Sequence, residues 1–443
     1  MRKTISSIRI IALGYAVVVI LGSLLLITPF ASADGNSADL LTAVFTAVSA
    51  SCVTGLVVVN TATQWSFFGQ IVILVLIQIG GLGFMTIATG FTMLLKKRLG
   101  LRQRQMMIES ISVESIGGIA HLTRRIILGT LLFEGTGAIL LSTVFVRDFG
   151  LKGIWYAVFH SISAFCNAGF DILGTDVPYC SFTGYTDNIT VNLTICFLIL
   201  IGGIGFLVWD DLLKNKFKFK KYSFHTKIVL VMTLLLTVVS TLLFMIFEKD
   251  YTNSDAGLKQ TVLASLFDNV TARTAGFNTV DTASLSPASK ILTIILMFIG
   301  GSPGSTAGGI KTTTVAVIAV STFNGIRRRE STGIFGRRFE KDAIYKASSV
   351  VFTNLMLAVF GLVAILAIQP SLDLSDMLFE VFSAIGTVGM STGITRELLP
   401  ASQIIIAFLM FSGRVGSVSF ALALMEKRSS PPVKNPREKI TIG

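Results

Sequence analysis

The 443-residue sequence predicts an all-α membrane protein of four pseudo-symmetric repeats, each a transmembrane helix, a short re-entrant helix with an extended loop, and a second transmembrane helix, arranged around a common axis. Three observations point to this class. Hydrophobic residues make up 52% of the chain and charged residues 14%, against roughly 25% charged in a soluble domain. Apolar runs of the length needed to cross about 30 Å of hydrocarbon recur along the whole chain. Between successive pairs of runs, a short motif ending in glycine recurs as well. A cytosolic enzyme, a disordered chain and a nucleic-acid-binding protein are excluded by the composition, although the net charge is +12.

Eight runs are apolar with charge mainly at their ends, at approximately residues 10–30, 67–95, 126–146, 192–209, 228–247, 288–322, 347–369 and 402–425; Glu134, Lys311 and Arg414 are the interior exceptions. Four half-apolar stretches lie between the members of each pair, at 38–50, 153–165, 258–271 and 374–385. These are too short to span and read as re-entrant helices. Of the 37 basic residues, 28 fall at the N-terminus and in segments 96–125, 214–227, 327–346 and 427–439. Those segments alternate with the runs, so the positive-inside rule places them and both termini in the cytoplasm. On that topology 15 of the 25 acidic residues lie outside, among them Asp34, Asp39, Asp171, Asp268, Asp281, Asp376 and Glu380. An acidic outer mouth enriches cations by long-range attraction.

The start of the chain resembles a secretory signal, with Arg2 and Lys3, an apolar run and Ala31-Ser32-Ala33. Its run from Ile10 to Phe30 is longer than the usual apolar core of such a signal. It is read as the first membrane helix, which the repeat requires. Cys52, Cys166, Cys180 and Cys196, with His121, His160 and His225, show no metal-ligand or disulfide-framework spacing.

The repeat is visible in four segments: Phe45-Thr-Ala-Val-Ser-Ala-Ser-Cys-Val-Thr-Gly55, Phe159-His-Ser-Ile-Ser-Ala-Phe-Cys-Asn-Ala-Gly169, Phe267-Asp-Asn-Val-Thr-Ala-Arg-Thr-Ala-Gly276 and Phe379-Glu-Val-Phe-Ser-Ala-Ile-Gly-Thr-Val-Gly389. An apolar residue follows each glycine: Leu56, Phe170, Phe277 and Met390. A second mark recurs in the following run, as Ile79-Gly-Gly-Leu-Gly83, Ile201-Gly-Gly-Ile-Gly205, Ile299-Gly-Gly-Ser-Pro303 and Phe411-Ser-Gly-Arg-Val415. Repeat boundaries are expected at residues 1–105, 106–220, 221–338 and 339–426, followed by a cytoplasmic tail, 427–443.

Non-helical backbone at membrane depth is tolerated only where protein covers it or where it lines a water-filled path. Four such loops around one axis present rings of backbone carbonyls to a central pore, and carbonyls replace the hydration shell of a monovalent cation. A glycine, lacking Cβ, reaches positive φ and turns its carbonyl where an L-residue is strained. Each short helix also aims the negative end of its dipole at the axis. The residues expected to bind the ion are Val53, Thr54 and Gly55; Asn167, Ala168 and Gly169; Thr274, Ala275 and Gly276; Thr387, Val388 and Gly389.

Val53-Thr-Gly-Leu56, Asn167-Ala-Gly-Phe170, Arg273-Thr-Ala-Gly-Phe277 and Thr387-Val-Gly389, with the run Ile299-Gly-Gly-Ser-Pro-Gly-Ser-Thr-Ala-Gly-Gly-Ile-Lys311, resemble the Ktr/Trk/HKT superfamily of potassium transporters over about residues 10–425. Length and motif order are closest to the membrane subunit of bacterial Ktr systems, the KtrB type. The resemblance implies K+ uptake across the cell membrane by a homodimer with one ion pathway per protomer. It also implies a cytosolic ring of nucleotide-binding regulatory subunits of the KtrA or KtrC type, the nucleotide being bound by that partner and no cofactor by this chain. Departures from the family pattern stand at Cys52, Cys166 and Ala272; the two cysteines suggest sensitivity to thiol reagents. Each loop holds one glycine rather than a Gly-Tyr-Gly, which suggests weaker discrimination against Na+ than in tetrameric potassium channels. A sodium-coupled K+ symporter and the membrane subunit of a larger cation pump are the alternative readings.

The sixth run cannot be one helix, because residues 300–309 contain five glycines and a proline, which cost about 1 and about 3 kcal/mol each relative to alanine in a helix interior. Ser302, Pro303, Gly304, Ser305, Thr306, Ala307 and Gly308 are expected to form a loop halfway across the membrane that gates the pore, or else a packing kink. Lys311, at its end, either takes part in the gate or snorkels towards the inner face. Arg414 lies deep in the last run, level with the loop. It reads either as an electrostatic barrier to resting cations or as a structural donor to loop carbonyls. Glu134 is expected to pair between helices, and the three histidines to be structural or at the surface. The basic-aromatic segment Lys214 to Lys221 suits anionic lipid, a regulatory partner or plain solvation. No phosphate-binding loop and no nucleophile with a base is present, so the sequence does not read as an enzyme.

Overall fold

The computed structural model describes residues 7–95, 106–107, 119–175, 177–216, 218–252, 257–328 and 333–416. Arg2 and Lys3, most of the basic segment 96–118, Phe217, residues 417–425 of the last apolar run and the tail 427–443 lie outside the described residues.

Among the described residues, four helices are long and apolar enough to cross a membrane unbroken: α1 (Ser7–Leu26), α6 (Ile119–Phe149), α10 (Phe224–Phe247) and α14 (Lys341–Ile368). Each is the first member of one of the predicted pairs. Rows of exposed apolar side chains, such as Leu13, Ile20 and Leu24 on α1 or Phe352, Phe360 and Val363 on α14, are what a lipid-facing surface requires.

The second members are all interrupted or short, where continuous runs were expected for three of the four. The run 67–95 forms α4 (Phe67–Leu82) and α5 (Phe84–Leu94), bent by 94°. The run beginning at 192 forms α8 (Ile189–Gly203) and α9 (Phe206–Asn215), bent by 95°. Gly83 and Gly205 sit at the bends with φ of +78° and +98°, a conformation that glycine adopts without the steric cost of a Cβ. Apolar composition reads straight through such a break, which explains the difference from the sequence reading. In the third pair α12 (Pro287–Phe298) and α13 (Thr312–Ile326) flank the expected loop, and in the fourth α16 (Pro400–Val415) ends at Gly416, φ +91°.

The four half-apolar stretches are helices α2 (Leu40–Ser51), α7 (Lys152–Phe165), α11 (Leu258–Ala272) and α15 (Leu374–Gly386). At 1.5 Å per residue, none is long enough to span. The carboxylates of Asp39 and Asp373 cap α2 and α15 by accepting from the amides two and three residues on. Their motif phenylalanines, Phe45, Phe159, Phe267 and Phe379, are completely buried. Lipid tails are as apolar as a protein core, so these rings stabilise by close packing rather than by leaving water. A two-stranded hairpin, Gly333–Ile334 with Arg337–Arg338, follows α13.

α3 (Thr61–Gln64) is a single turn that leads back from the first loop into α4. Glycines seat the interrupted helices on the short ones. A Cβ on Gly80 would collide with the Ser51 carbonyl at the end of α2, one on Gly202 with the Phe165 carbonyl of α7, and one on Gly413 with the Ile385 carbonyl of α15. The second sequence mark is thus a contact between backbones, at each place bringing an inner helix against the C-terminal end of the short helix before it.

Candidate functional site

The twelve residues predicted to bind an ion follow the C-terminal ends of α2, α7, α11 and α15, and the structure brings all four triplets together. Their backbones are unusual in the same way. Val53, Asn167, Thr274 and Thr387 have φ of +56°, +58°, +74° and +51°, and the glycines two residues on have +94°, +67°, +86° and +93°. Left-handed backbone costs an L-residue roughly 1–2 kcal/mol, so four such residues at matching positions must be held by their surroundings.

Each is held by a hydroxyl four residues after the motif phenylalanine. Ser49 Oγ accepts from Gly55 N at 3.0 Å, and Ser383 Oγ accepts from Gly389 N at 3.1 Å. Ser163 Oγ donates to Phe170 O at 2.9 Å, and Thr271 Oγ1 to Phe277 O at 2.7 Å. The carbonyls of the same four residues accept the amides of Thr54, Ala168, Ala275 and Val388 at 2.8, 2.8, 2.9 and 2.9 Å. Sequence reasoning did not give these hydroxyls a role, although the Ser-Ala or Thr-Ala step is present in all four copies. In the second copy His160 adds a brace, its Nδ1 against Tyr156 O at 2.7 Å and its Nε2 accepting from Ile172 N at 3.3 Å. That is the structural role expected of this histidine.

The glycines form a closed cycle. A Cβ on Gly55 would lie 2.5 Å from the Ala168 carbonyl oxygen, and one on Gly169 would lie 2.7 Å from that of Ala275. Continuing round, a Cβ on Gly276 would strike the Val388 carbonyl and one on Gly389 the Thr54 carbonyl, which returns to the first loop. A cavity of about 140 Å3 opens onto all four glycines, with Asp171, Asp281 and Arg396 also in its walls. The side chains at Cys52 and Cys166 are fully buried, the latter against Gln78 and Glu134, so neither thiol is presented to that cavity. Glu134 pairs between helices as expected, accepting from Gln78 Nε2 at 3.2 Å.

Residues 299–311 leave the helix and return to it, with Ile299 and Ile310 side by side in a parallel bridge. Ser302 N donates to Gly203 O at 2.9 Å, Thr306 N to Gly202 O at 3.2 Å, and Thr306 Oγ1 to Phe165 O at 3.0 Å. In return Phe206 N, opening α9 beyond the bend, donates to Gly304 O at 2.8 Å. Gly308 lies against Thr387 so closely that a Cβ there would strike the threonine hydroxyl. The loop therefore lies against the residues that lead into the glycine cycle, touching the elements before the second and fourth triplets.

Arg414 reaches the loop from α16. Its guanidinium donates to Thr306 O at 2.6 Å, to Gly81 O at 3.2 Å and to Gly80 O. One charged group thus ties together the loop, the last helix and the end of α4. Lys311 does not snorkel; its Nζ folds back to donate to Ala307 O at 2.7 Å and Gly308 O at 3.3 Å. A desolvated ammonium finds in these carbonyls the partners that water would otherwise supply. Pro303, Gly304, Ser305, Ala307, Gly308, Lys311 and Arg414 line a second cavity, of about 290 Å3, that includes none of the glycine-cycle residues.

Away from this centre, Asp210 pairs with Arg125 and, at 2.5 Å, with Lys214. Among the described residues no group of three or more His, Cys, Asp and Glu side chains is placed to hold a metal ion. The four triplets gather the peptide carbonyls of Thr54, Ala168, Ala275 and Val388 against the glycines, and the Asn167 and Thr274 side chains meet between the second and third.

Residues 7–432 match the family model described as TrkH, cation transport protein. The chain is 38% identical to the potassium/sodium uptake protein NtpJ of Enterococcus hirae, over 100% of this chain and 98% of that protein. It is 40% identical to the Ktr system potassium uptake protein B of Bacillus subtilis, over 95% of this chain and 94% of the relative. The fold matches the crystal structure of the potassium transporter TrkH from Vibrio parahaemolyticus with a TM-score of 0.77 at 18% identity, covering 96% of this chain and 86% of that one.

Proposed function

The chain belongs to the TrkH family of cation transport proteins, a multi-pass membrane protein and not an enzyme, and from that premise we propose that it is the channel-like, ion-conducting subunit of a Ktr-type K+ uptake system. K+ sheds its water into carbonyls of the four triplets and moves inward down its electrochemical gradient. The observation that carries this reading is the closed glycine cycle, in which every loop abuts the carbonyl of the next. Such an arrangement supplies neutral oxygens on all sides of one axis, and neutral carbonyls release a monovalent ion more readily than fixed carboxylates.

In this reading α2, α7, α11 and α15 are pore helices of four repeats, divided at 1–105, 106–220, 221–338 and 339–426, with both termini cytoplasmic. The eight predicted spans are then four unbroken helices alternating with four inner helices interrupted near mid-membrane. Ser302 to Gly308 obstruct the path below the cycle, and Arg414 and Lys311 hold the obstruction in place. Release follows a change in cytosolic nucleotide-binding subunits of the KtrA or KtrC type, acting on a homodimer. The Bacillus relative's name, as a protein of a Ktr system, supports a multi-subunit assembly.

The test is ion flux into proteoliposomes holding this chain alone, comparing K+, Rb+ and Na+. K+ and Rb+ flux that exceeds Na+ flux supports the reading; equal flux of all three, in the presence and absence of a cytosolic partner, contradicts it. A second reading, Na+-coupled K+ symport, draws on the Enterococcus relative's name, a potassium/sodium uptake protein. It requires K+ uptake to depend on Na+ and to move it in fixed ratio.

A further inference from the structure

We propose that Arg396 is a tethered cation at the outer mouth that competes with the arriving K+ for the acidic cavity above the glycine cycle, and so sets the apparent affinity for the transported ion. This rests on the proposed conducting role. Three independent features place the guanidinium there.

The first is the cavity itself. The space that opens onto Gly55, Gly169, Gly276 and Gly389 has Arg396 in its wall beside Asp171 and Asp281. A fixed positive charge at that point opposes the attraction that two carboxylates exert on an approaching cation. The second is the tether. The guanidinium carbon lies 4.1 Å from the ring centroid of Tyr179, within range for a cation held over an aromatic face. Its Nε donates to Gly393 O at 3.3 Å.

The third is the platform beneath it. Arg396 follows a turn that is clamped from below by the completely buried Glu380 of α15. Ser391 Oγ donates to Glu380 Oε2 at 2.8 Å, and the Thr395 hydroxyl donates to the other carboxylate oxygen. Gly393 N donates back to Ser391 Oγ at 2.9 Å. Arg396 itself is exposed, so this base fixes the turn from which the guanidinium extends rather than the side chain.

The side chain also borders a neighbouring cavity walled by Asp373, Asp376 and Glu397. A guanidinium displaced from the mouth therefore meets Glu397, and beside it Asp376, which pairs with Lys290 at 3.6 Å, and Asp373, which caps α15. Moving between the two acidic spaces keeps the arginine partnered while it yields to the entering ion.

The experiment measures initial K+ flux against external K+ in proteoliposomes of the full chain. At about 0.01 M ionic strength, where charges act over about 30 Å, Arg396→Gln is expected to lower the half-saturating K+ concentration about threefold or more. Its maximal rate should move less than the half-saturating concentration does. Raising ionic strength with an impermeant salt shrinks the difference, because screening weakens both charges. Arg396→Lys, which keeps the charge, should stay near the parent chain, and Tyr179→Leu, which removes only the tether, should fall between.

An unchanged half-saturating concentration in Arg396→Gln overturns the proposal, as does an equal shift in Arg396→Lys or a difference indifferent to salt. If Arg396→Gln does not assemble, the comparison of Tyr179→Leu with the parent decides alone: no shift at low ionic strength overturns it. Absence of K+ flux in the parent chain with its cytosolic partner refutes the conducting role instead, so the two failures are distinct.

Discussion

The glycine cycle and the loop at residues 299–311 are neighbours built from the same repeating unit, yet they obey opposite rules. In the cycle all four copies do the same thing: a buried hydroxyl, a left-handed residue, a glycine against the next carbonyl. Beneath it the copies diverge. Two inner helices bend at a single glycine, one ends at a glycine, and the third opens into a loop that crosses to other elements. The repeat is kept in the cycle and abandoned in the layer packed against it. Under the proposed conducting role the cycle decides which ion passes, and the loop with Arg414 decides how often.

The largest effect separating the two regions is expected from the cycle. Gly276→Ser places a side chain at φ +86° and against the Val388 carbonyl. Roughly 1–2 kcal/mol of backbone strain is enough to displace the loop, and K+ preference over Na+ should fall about tenfold, the equivalent of about 1.4 kcal/mol. Selectivity from reversal potentials or paired tracer fluxes checks this. Retained selectivity at normal flux would mean that the cycle does not select the ion.

Deleting residues 302–308 should do the reverse, raising flux several-fold without a cytosolic partner while leaving the ion preference of the parent chain. Flux unchanged by the deletion would make the loop a packing element. Arg414→Gln is a milder version. It leaves Thr306 O and the Gly80 and Gly81 carbonyls without their charged donor, a loss worth about 1.5–3 kcal/mol for each bond to a charged group. Resting flux should rise, by less than in the deletion. A fall in resting flux would mean that Arg414 supports the conducting state.

Ser163→Ala probes the support of one triplet only. It removes the donor to Phe170 O, a net contribution of about 1 kcal/mol, and predicts a small loss of selectivity with normal assembly. The smallest effect belongs to the helix caps. The Ser375 hydroxyl and amide and the Asp376 amide hold the Asp373 carboxyl below its ordinary 3.8. A depressed carboxyl contributes stability that is complete above the unfolded value and lost as pH falls through the lowered one. The cap on α15 should therefore survive acidification from neutral pH until pH drops below 3.8. Thermal unfolding of Asp373→Ala beside the parent measures it: a gap between the two that closes well above that pH would contradict this.

The cycle was the more legible region in the sequence. Its positions follow from four copies of Phe, then Ser or Thr with Ala, then Gly, because each residue meets the same physical demand four times. The four short helices fall within a few residues of the stretches read from apolar content. The layer below was legible only where glycine and proline crowd together. Bends at Gly83 and Gly205 were invisible to hydropathy, since a single left-handed glycine changes direction without changing apolar content. The signal lies in the third glycine of Ile79-Gly-Gly-Leu-Gly83 and Ile201-Gly-Gly-Ile-Gly205, which in a membrane helix reads equally well as close packing. For Lys311 the sequence allowed a part in the gate or a reach towards the inner face, and only three-dimensional placement shows the loop carbonyls that hold it.

The division of labour between the two regions is tested most directly by one paired measurement: K+ and Na+ flux in proteoliposomes of the parent chain, Gly276→Ser and the deletion of 302–308. The glycine substitution is expected to change the K+ to Na+ ratio, and the deletion to change only the rate. A deletion that alters the ratio as much as the glycine substitution would contradict this division, and would place ion discrimination in the loop rather than in the carbonyls above it.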